Sequence, residues 1–371
     1  MLRRRFCVSA LSLLGFAIAL VPAERQVEIS LGKSLEIGRQ ELSFGAITSI
    51  CEDYEGNFLV LDGKEFKVLK FSPEGKLLLK FGQKGQGPGD FQSPDLLVLT
   101  PQNEIAVHEI SYVSFFKADG TFARRQELNG RLGLVYLGPN RFLAWDWTSD
   151  SRQQIMLDGK NNIVATFHAQ PRNSFSTALT DETGRAVMFN YASDVYVPEL
   201  LFGYGGGVGL VGISTLYDLT LLDESGRAVG SVHRDLRPGR ISGKEKAVLE
   251  ENIREFAKAR NWPARAVRDL VDKIPEYKAI IRAVRVSPRH VLVFRVPENV
   301  TREDGAVPVD VFSLRGEFLG STKMNKIPLF VSGTAMYFVE SDDSGIHAPG
   351  HRTDEALRRR RRKRRADLQH L

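Results

Sequence analysis

The sequence predicts an all-β protein, a six-bladed β-propeller carrying a small helical insertion, and three observations support that prediction. A four-strand unit of apolar runs and polar turns recurs along the chain. Gly75 and Gly120 lie 45 residues apart, as do Phe71 and Phe116, which suits the roughly 40 to 50 residues of a four-stranded blade. One segment alone departs from this pattern, with helical periodicity. The chain has 371 residues and is 42% hydrophobic, enough to bury a large core, so global disorder is excluded.

Residues 1–23 divide into a basic start (Arg3, Arg4, Arg5), an apolar stretch from Val8 to Val21 and a small-residue end at Ala23. This is the layout of a secretory signal peptide, with cleavage expected after Ala23 and a periplasmic or extracellular destination. The alternative is a retained anchor, but the apolar stretch falls short of the roughly 20 residues that span a bilayer. Arg3 to Phe6 also fits the twin-arginine export pattern loosely.

The first copy of the unit runs from Ile47–Cys51 through a Gly56 turn into Phe58–Asp62, and then through the hairpin Lys67–Lys76 to Phe81. Tight hairpins need a positive φ, which glycine adopts without steric cost. Copy two spans Leu96 to Leu128 with Ile105–His108 as its second strand, and copy three spans Leu132 to His168 around Arg141–Asp146. A fourth begins near Phe175, takes Ala186–Asn190 as its second strand and closes on the hairpin Leu219–Arg227. The glycine-rich run Gly203–Gly212 reads as a long insertion or the remains of a further blade, so a count of seven stays open.

Ser242 to Glu245 reads as a capping box opening a helix with apolar residues at Val248, Leu249, Ile253, Phe256 and Ala257. Asn261-Trp262-Pro263 then punctuates before a second short helix ending near Pro275, and the insertion (about 242–275) is expected on the propeller rim as a cover for apolar surface. A further copy contains Val291–Arg295 and the hairpin Val309–Glu317, and a final half-copy ends at Met336–Glu340. Gln26–Leu31 alternates like a half-buried strand. It is expected to complete that last blade, which gives a propeller domain over 24–345.

The net charge of +6 misleads: removing the eight positive charges of Arg358–Arg365 and the three of Arg3–Arg5 leaves −5. The folded body is mildly acidic, which argues against specific nucleic-acid binding. Residues 346–371 are expected to be a disordered basic tail, with attraction to anionic lipid, polysaccharide or nucleic acid as the other reading. Cys51 is the lone cysteine after Ala23 and sits in a strand-like run, so it reads as a buried apolar side chain rather than a nucleophile.

The segment Phe81 to Pro94, with Gly82, Gly85, Gly87, Pro88 and Gly89, resembles the inter-blade connector of bacterial six-bladed β-propeller proteins related to NHL repeats. Val232–Pro238, Pro275–Tyr277 and Asp310–Phe312 before Gly316 look like the later half of the same family, so the resemblance covers about 26–345. It implies an exported propeller, in a group whose members mostly lack a known activity. The polyarginine end departs from it.

As a phosphate cradle the connector fails, since Pro88 removes an amide donor and no helix follows. No Ser-His-Asp or Cys-His arrangement, Gly-x-Ser-x-Gly run or short metal-ligand pair is legible. The residues closing the second strands are polar in every copy: Asp62, His108, Asp146, Asn190, Arg295 and Glu340. They form a candidate ring around the central channel for a polar small molecule, a glycan or a partner protein, although strand ends are polar wherever they meet water. The first functional reading is thus a binding or scaffolding propeller without a cofactor. The alternative is a metal-dependent lyase or lactonase-like enzyme with His108 and nearby carboxylates holding a divalent cation, which Arg295 on the same rim disfavours.

Overall fold

The structure is a computed structural model that describes residues 26–29, 35, 37, 44–128, 131–138, 140–146, 151–171, 176–180, 186–190, 196, 198–298, 306–333 and 335–339. The expected signal segment 1–23, the basic tail 346–371 and Glu340 lie outside them. Blade one is β1 (Ile47–Glu52), β2 (Phe58–Asp62), β3 (Lys67–Phe71) and β4 (Leu77–Phe81). Blade two is β5 (Leu96–Leu99), β6 (Ile105–His108), β7 (Tyr112–Phe116) and β8 (Phe122–Glu127). Blade three is β9 (Arg131–Gly138), β10 (Arg141–Asp146), β11 (Ser151–Asp158) and β12 (Ile163–Pro171).

A separate two-stranded sheet follows, β13 (Ser176–Thr180) with β14 (Ala186–Asn190). Blade four is β15 (Leu200–Gly205), β16 (Val208–Ile213), β17 (Asp218–Leu222) and β18 (Ala228–His233). After helices α1 (Gly243–Lys258) and α2 (Ala264–Asp272), blade five is β19 (Ile281–Val286), β20 (His290–Arg295), β21 (Val307–Ser313) and β22 (Phe318–Met324). The pair β23 (Phe330–Val331) and β24 (Met336–Tyr337) ends the described chain.

Every four-stranded sheet is an antiparallel meander closed by the same device. In blades one, two, four and five the outer hairpin turns on a glycine, Gly75, Gly120, Gly226 or Gly316, with φ between 81° and 88°. Each glycine N–H donates to the carbonyl three residues back, and the ladder slips by one residue just before the turn. This is a type I turn with a bulge, which needs a left-handed residue at that place. Asn161, with φ 65°, fills it in blade three.

The core lies between blades. Leu59, Leu61 and Val68 of blade one pack with Leu97, Ile105, Val107 and Phe116 of blade two, and equivalent clusters join two to three, three to four and four to five. Clusters containing Phe330 and Tyr337 on one side and Val331 and Met336 on the other bring β23 and β24 between blades five and one, which closes the ring.

Three expectations need correction. Among the described residues there are five four-stranded blades, not six or seven, because the last copy is the short β23–β24 pair. Ala186–Asn190 belongs to the separate β13–β14 sheet, and the glycine-rich run supplies the inner hairpin β15–β16 of blade four. Its glycines are dictated by crowding: a Cβ on Gly205 would stand 2.4 Å from the Val286 carbonyl oxygen and one on Gly209 2.2 Å from Leu137 Cδ2. Finally, Gln26 bridges in parallel to Ser321 of β22, and the Val27 N–H donates to the Ser321 carbonyl, so this segment extends blade five. Val27, Ile29 and Ile37 still pack into the two closing clusters.

The helices follow the expected boundaries, and the Ser242–Glu245 capping box is formed on both sides. Leu249, Ile253 and Leu270 form a small core with Tyr196, Phe256 and Trp262, while Phe189 of β14 meets Trp262 edge-on and Thr177 of β13 donates to Asp269. The hairpin therefore covers the β13–β14 sheet. It is tied to the propeller by the buried pair Lys278–Glu245, with N–O 2.6 Å.

Candidate functional site at the open end of blade two

The expected ring residues occupy different environments. Asp62 is buried, and its two oxygens accept the backbone N–H groups of Gly45 (2.6 Å), Ala46 (2.9 Å), Lys64 (3.2 Å) and Glu65 (3.0 Å). That carboxylate staples the entry to β1 onto the loop after β2. Asp146 is buried opposite Arg131 and Gln153. Asn190 closes β14, in the separate two-stranded sheet rather than in a four-stranded blade.

Arg295 turns toward Asp310, with Nε 3.3 Å from Oδ2. Asp310 is fully buried and also accepts from Tyr217 Oη (2.6 Å), Arg234 Nη1 (2.9 Å) and Ser321 Oγ (2.7 Å). Burial first, and the neighbouring Asp310 second, hold the Tyr217 phenol well above its ordinary range. Two charged partners and two hydroxyls around one buried carboxylate make a polar rivet between blades four and five.

His108 is 1% exposed, and neither ring nitrogen has a hydrogen-bond partner. Burial pulls its pKa down to about 3, so the ring is neutral across ordinary pH. Among the described residues no three His, Cys, Asp or Glu side chains converge as a metal-ligand set. Cys51 is buried, and burial raises its thiol to about 12.

What stands beside His108 is more informative. Leu96 pairs with His108, yet the Asp95 N–H donates to the same His108 carbonyl at 3.0 Å, so Asp95 also lies against His108, its carboxylate close enough to that of the next residue, Glu109, for the two to interact. Two like charges brought close together repel. Glu109 is 2% exposed; Oε1 accepts from the Gln92 (2.5 Å) and Ser93 (2.7 Å) amides, and Oε2 is buried without a partner.

Asp95 has only the Leu96 amide and its own to support its charge. It keeps solvent contact yet is hemmed in by surrounding chain, and that desolvation pushes its carboxyl up to about 6, with Glu109 adding a smaller push against the pull of backbone amides. Thr48, whose hydroxyl is buried and unpartnered, borders the same spot: a Cβ on Gly63 would touch both Thr48 and the carbonyl of Pro94. Ile110, 61% exposed, follows Glu109, and Gln92 donates to the Tyr112 hydroxyl at 2.5 Å. Arg125 lies over the Tyr112 ring, but its guanidinium is committed to the carbonyls of Gly87 and Asp90 in the connector.

The arrangement offers two carboxylates, one anchored and one poised to ionise near pH 6, next to an exposed aliphatic side chain. Chemically this suits a cationic group with an apolar neighbour. The ring of second-strand ends includes His108 but omits Asp95 and Glu109. They sit one position beyond the strands, and only the folded β5–β6 pair shows that they are neighbours.

Among the described residues no helix is long and apolar enough to cross a membrane. No protein-family model matches the chain, and no curated protein matches it. Among solved structures it is similar to a Bacteroides fragilis protein provisionally described as exported, with TM-score 0.48, 14% identity, and coverage of 78% of this chain and 73% of that one. A Bacteroides caccae protein of unknown function gives 0.37 and 9% (75% and 81% covered), and a streptogramin B lyase 0.32 and 12% (54% and 74%). Similarities this weak carry no functional argument, and the propeller assignment rests on the chain's own sheets.

Proposed function

We propose that this chain is an exported binding propeller, related to the NHL-type propellers, that takes a cationic ligand group at the open end of blade two. The single observation carrying this reading is the proximity of Asp95 and Glu109, two carboxylates brought close at the end of the β5–β6 ladder, where a fold built for stability alone gains nothing from their repulsion. Export is supported by the signal-like layout of residues 1–23, and the kinship by the connector Phe81–Pro94. Asp62, Asp146, Asn190 and Arg295 are then supporting or remote positions rather than the contact set, and the His108 carbonyl holds the Asp95 backbone beside Glu109.

The test is a thermal-shift panel on purified protein at pH 7.5 with putrescine, arginine methyl ester, glucuronate and N-acetylglucosamine as probes. The two cationic probes raise the melting midpoint and the other two do not, and the gain disappears in Asp95→Asn. A midpoint raised by glucuronate alone, or by cations equally in wild type and variant, rules the reading out.

A further inference from the structure

A second, independent concentration of charge lies on the helical hairpin. From Arg254 to Arg268 the sequence carries five cations, Arg254, Lys258, Arg260, Arg265 and Arg268, against the single carboxylate of Glu255, on a body whose net charge is otherwise acidic. An open cleft of about 550 Å³ lies between the end of α1 and the start of α2. Its exposed lining residues include Arg254, Lys258 and Arg268, and its buried or half-buried ones are Ala257, Trp262 and Val267. The cleft therefore has an apolar floor and a cationic rim.

The rim charges are available. Arg254 makes one surface pair with Glu250 at 3.5 Å, which is worth little in water. Arg260 is spent on the Phe256 ring, 3.6 Å from its centroid. The side chains of Lys258 and Arg268 make no ion pair or hydrogen bond among the described residues. Nothing inside the hairpin requires this excess of positive charge, because its packing is completed by Leu249, Ile253, Leu270 and the aromatic cluster.

We propose that this cleft docks an acidic peptide segment of a partner protein, an apolar side chain on the floor and carboxylates against the rim. Charge complementarity selects an anion. A purely ionic ligand would leave the apolar floor wet, and a small amphiphile in so open a cleft would keep most of its surface in water, whereas pockets that hold small molecules bury most of them. A peptide continues past the cleft along the basic end of the hairpin and uses both features.

The experiment is fluorescence anisotropy of a short labelled peptide, a central leucine-phenylalanine pair flanked by aspartates and glutamates, titrated with the full chain. Parallel arms use a lysine-flanked version, inorganic tripolyphosphate and phosphatidylglycerol vesicles. The acidic peptide binds, the lysine version does not, and affinity falls about tenfold or more in the Lys258→Glu/Arg268→Glu double variant and again in Ala264→Glu, all exposed positions whose exchange leaves the fold intact. Equal affinity in wild type and both variants overturns the proposal, as does binding of vesicles or tripolyphosphate in the absence of peptide binding.

Discussion

At the open end of the β5–β6 ladder Asp95 donates its backbone N–H to the His108 carbonyl, which sets its carboxylate near that of Glu109, the residue after His108. Glu109 has its charge supported by two backbone amides, whereas Asp95 is left to titrate near pH 6. A carboxyl whose pKa is raised beside a second carboxylate is a recurring property of sites that bind or transfer charge. The relationship leads to the following expectations.

Asp95→Asn stabilises the protein at neutral pH. A carboxyl whose folded pKa lies above its unfolded value opposes folding once it must ionise, so the penalty grows as pH rises from about 4 to about 6 and is complete above that. Because Asp95 remains partly exposed, solvent screening reduces the expected gain to about 0.5–1 kcal/mol at pH 7.5, with no gain at pH 4. Urea denaturation of both proteins at the two pH values checks this.

Glu109→Ala acts in the opposite direction. It removes the acceptor for the Gln92 and Ser93 amides at the end of the connector, and because those donors are only part-buried and can turn to water the loss is that of ordinary hydrogen bonds, about 0.5–1.5 kcal/mol. Denaturation midpoints measure the loss, and faster amide exchange confined to residues 90–95 locates it.

His108 makes the protein acid-sensitive. Its folded pKa of about 3 lies below the unfolded value, so the stability of the neutral ring is full above about pH 6.5 and is lost as pH falls toward 3, by up to about 1.4 kcal/mol per pH unit. His108→Leu flattens that acid limb in a pH series of melting curves.

Gly205→Ala tests whether the glycine-rich run is a blade strand. A methyl group there meets the Val286 backbone at 2.4 Å, which cannot move without shifting β19. Overpacking of this kind costs about 1–3 kcal/mol, read as a lower melting midpoint; an unchanged midpoint contradicts the placement of β15 against blade five.

Deleting Gln26–Ile37 lowers cooperative thermal stability, since Val27 and Ile29 leave the cluster around Val309 and Met324 and Ile37 leaves the one around Phe58. A chain lacking these residues but melting like the parent contradicts this closure.

Much of the architecture was legible because its signals are local. The outer hairpins announce themselves through Gly75, Gly120, Gly226 and Gly316, and the helices through the Ser242–Glu245 box and Pro263. The inner half of blade four was not legible, because its hairpin replaces apolar side chains by glycines that only the approach of Val286 and Leu137 explains. The polar residues at second-strand ends were visible, yet Asp62 and Arg295 turn out to be engaged with backbone amides and with Asp310. Asp95 and Glu109 escaped notice because their meeting depends on register, a relation between residues that no single strand encodes.

The most direct test of the account is a carbon-13 NMR titration of the Asp95 carboxyl, alone and with saturating putrescine. The account predicts a midpoint near 6 in the free protein that moves to lower pH with the diamine, because a bound cation favours the ionised form. A midpoint in the ordinary aspartate range, unmoved by putrescine, would contradict it.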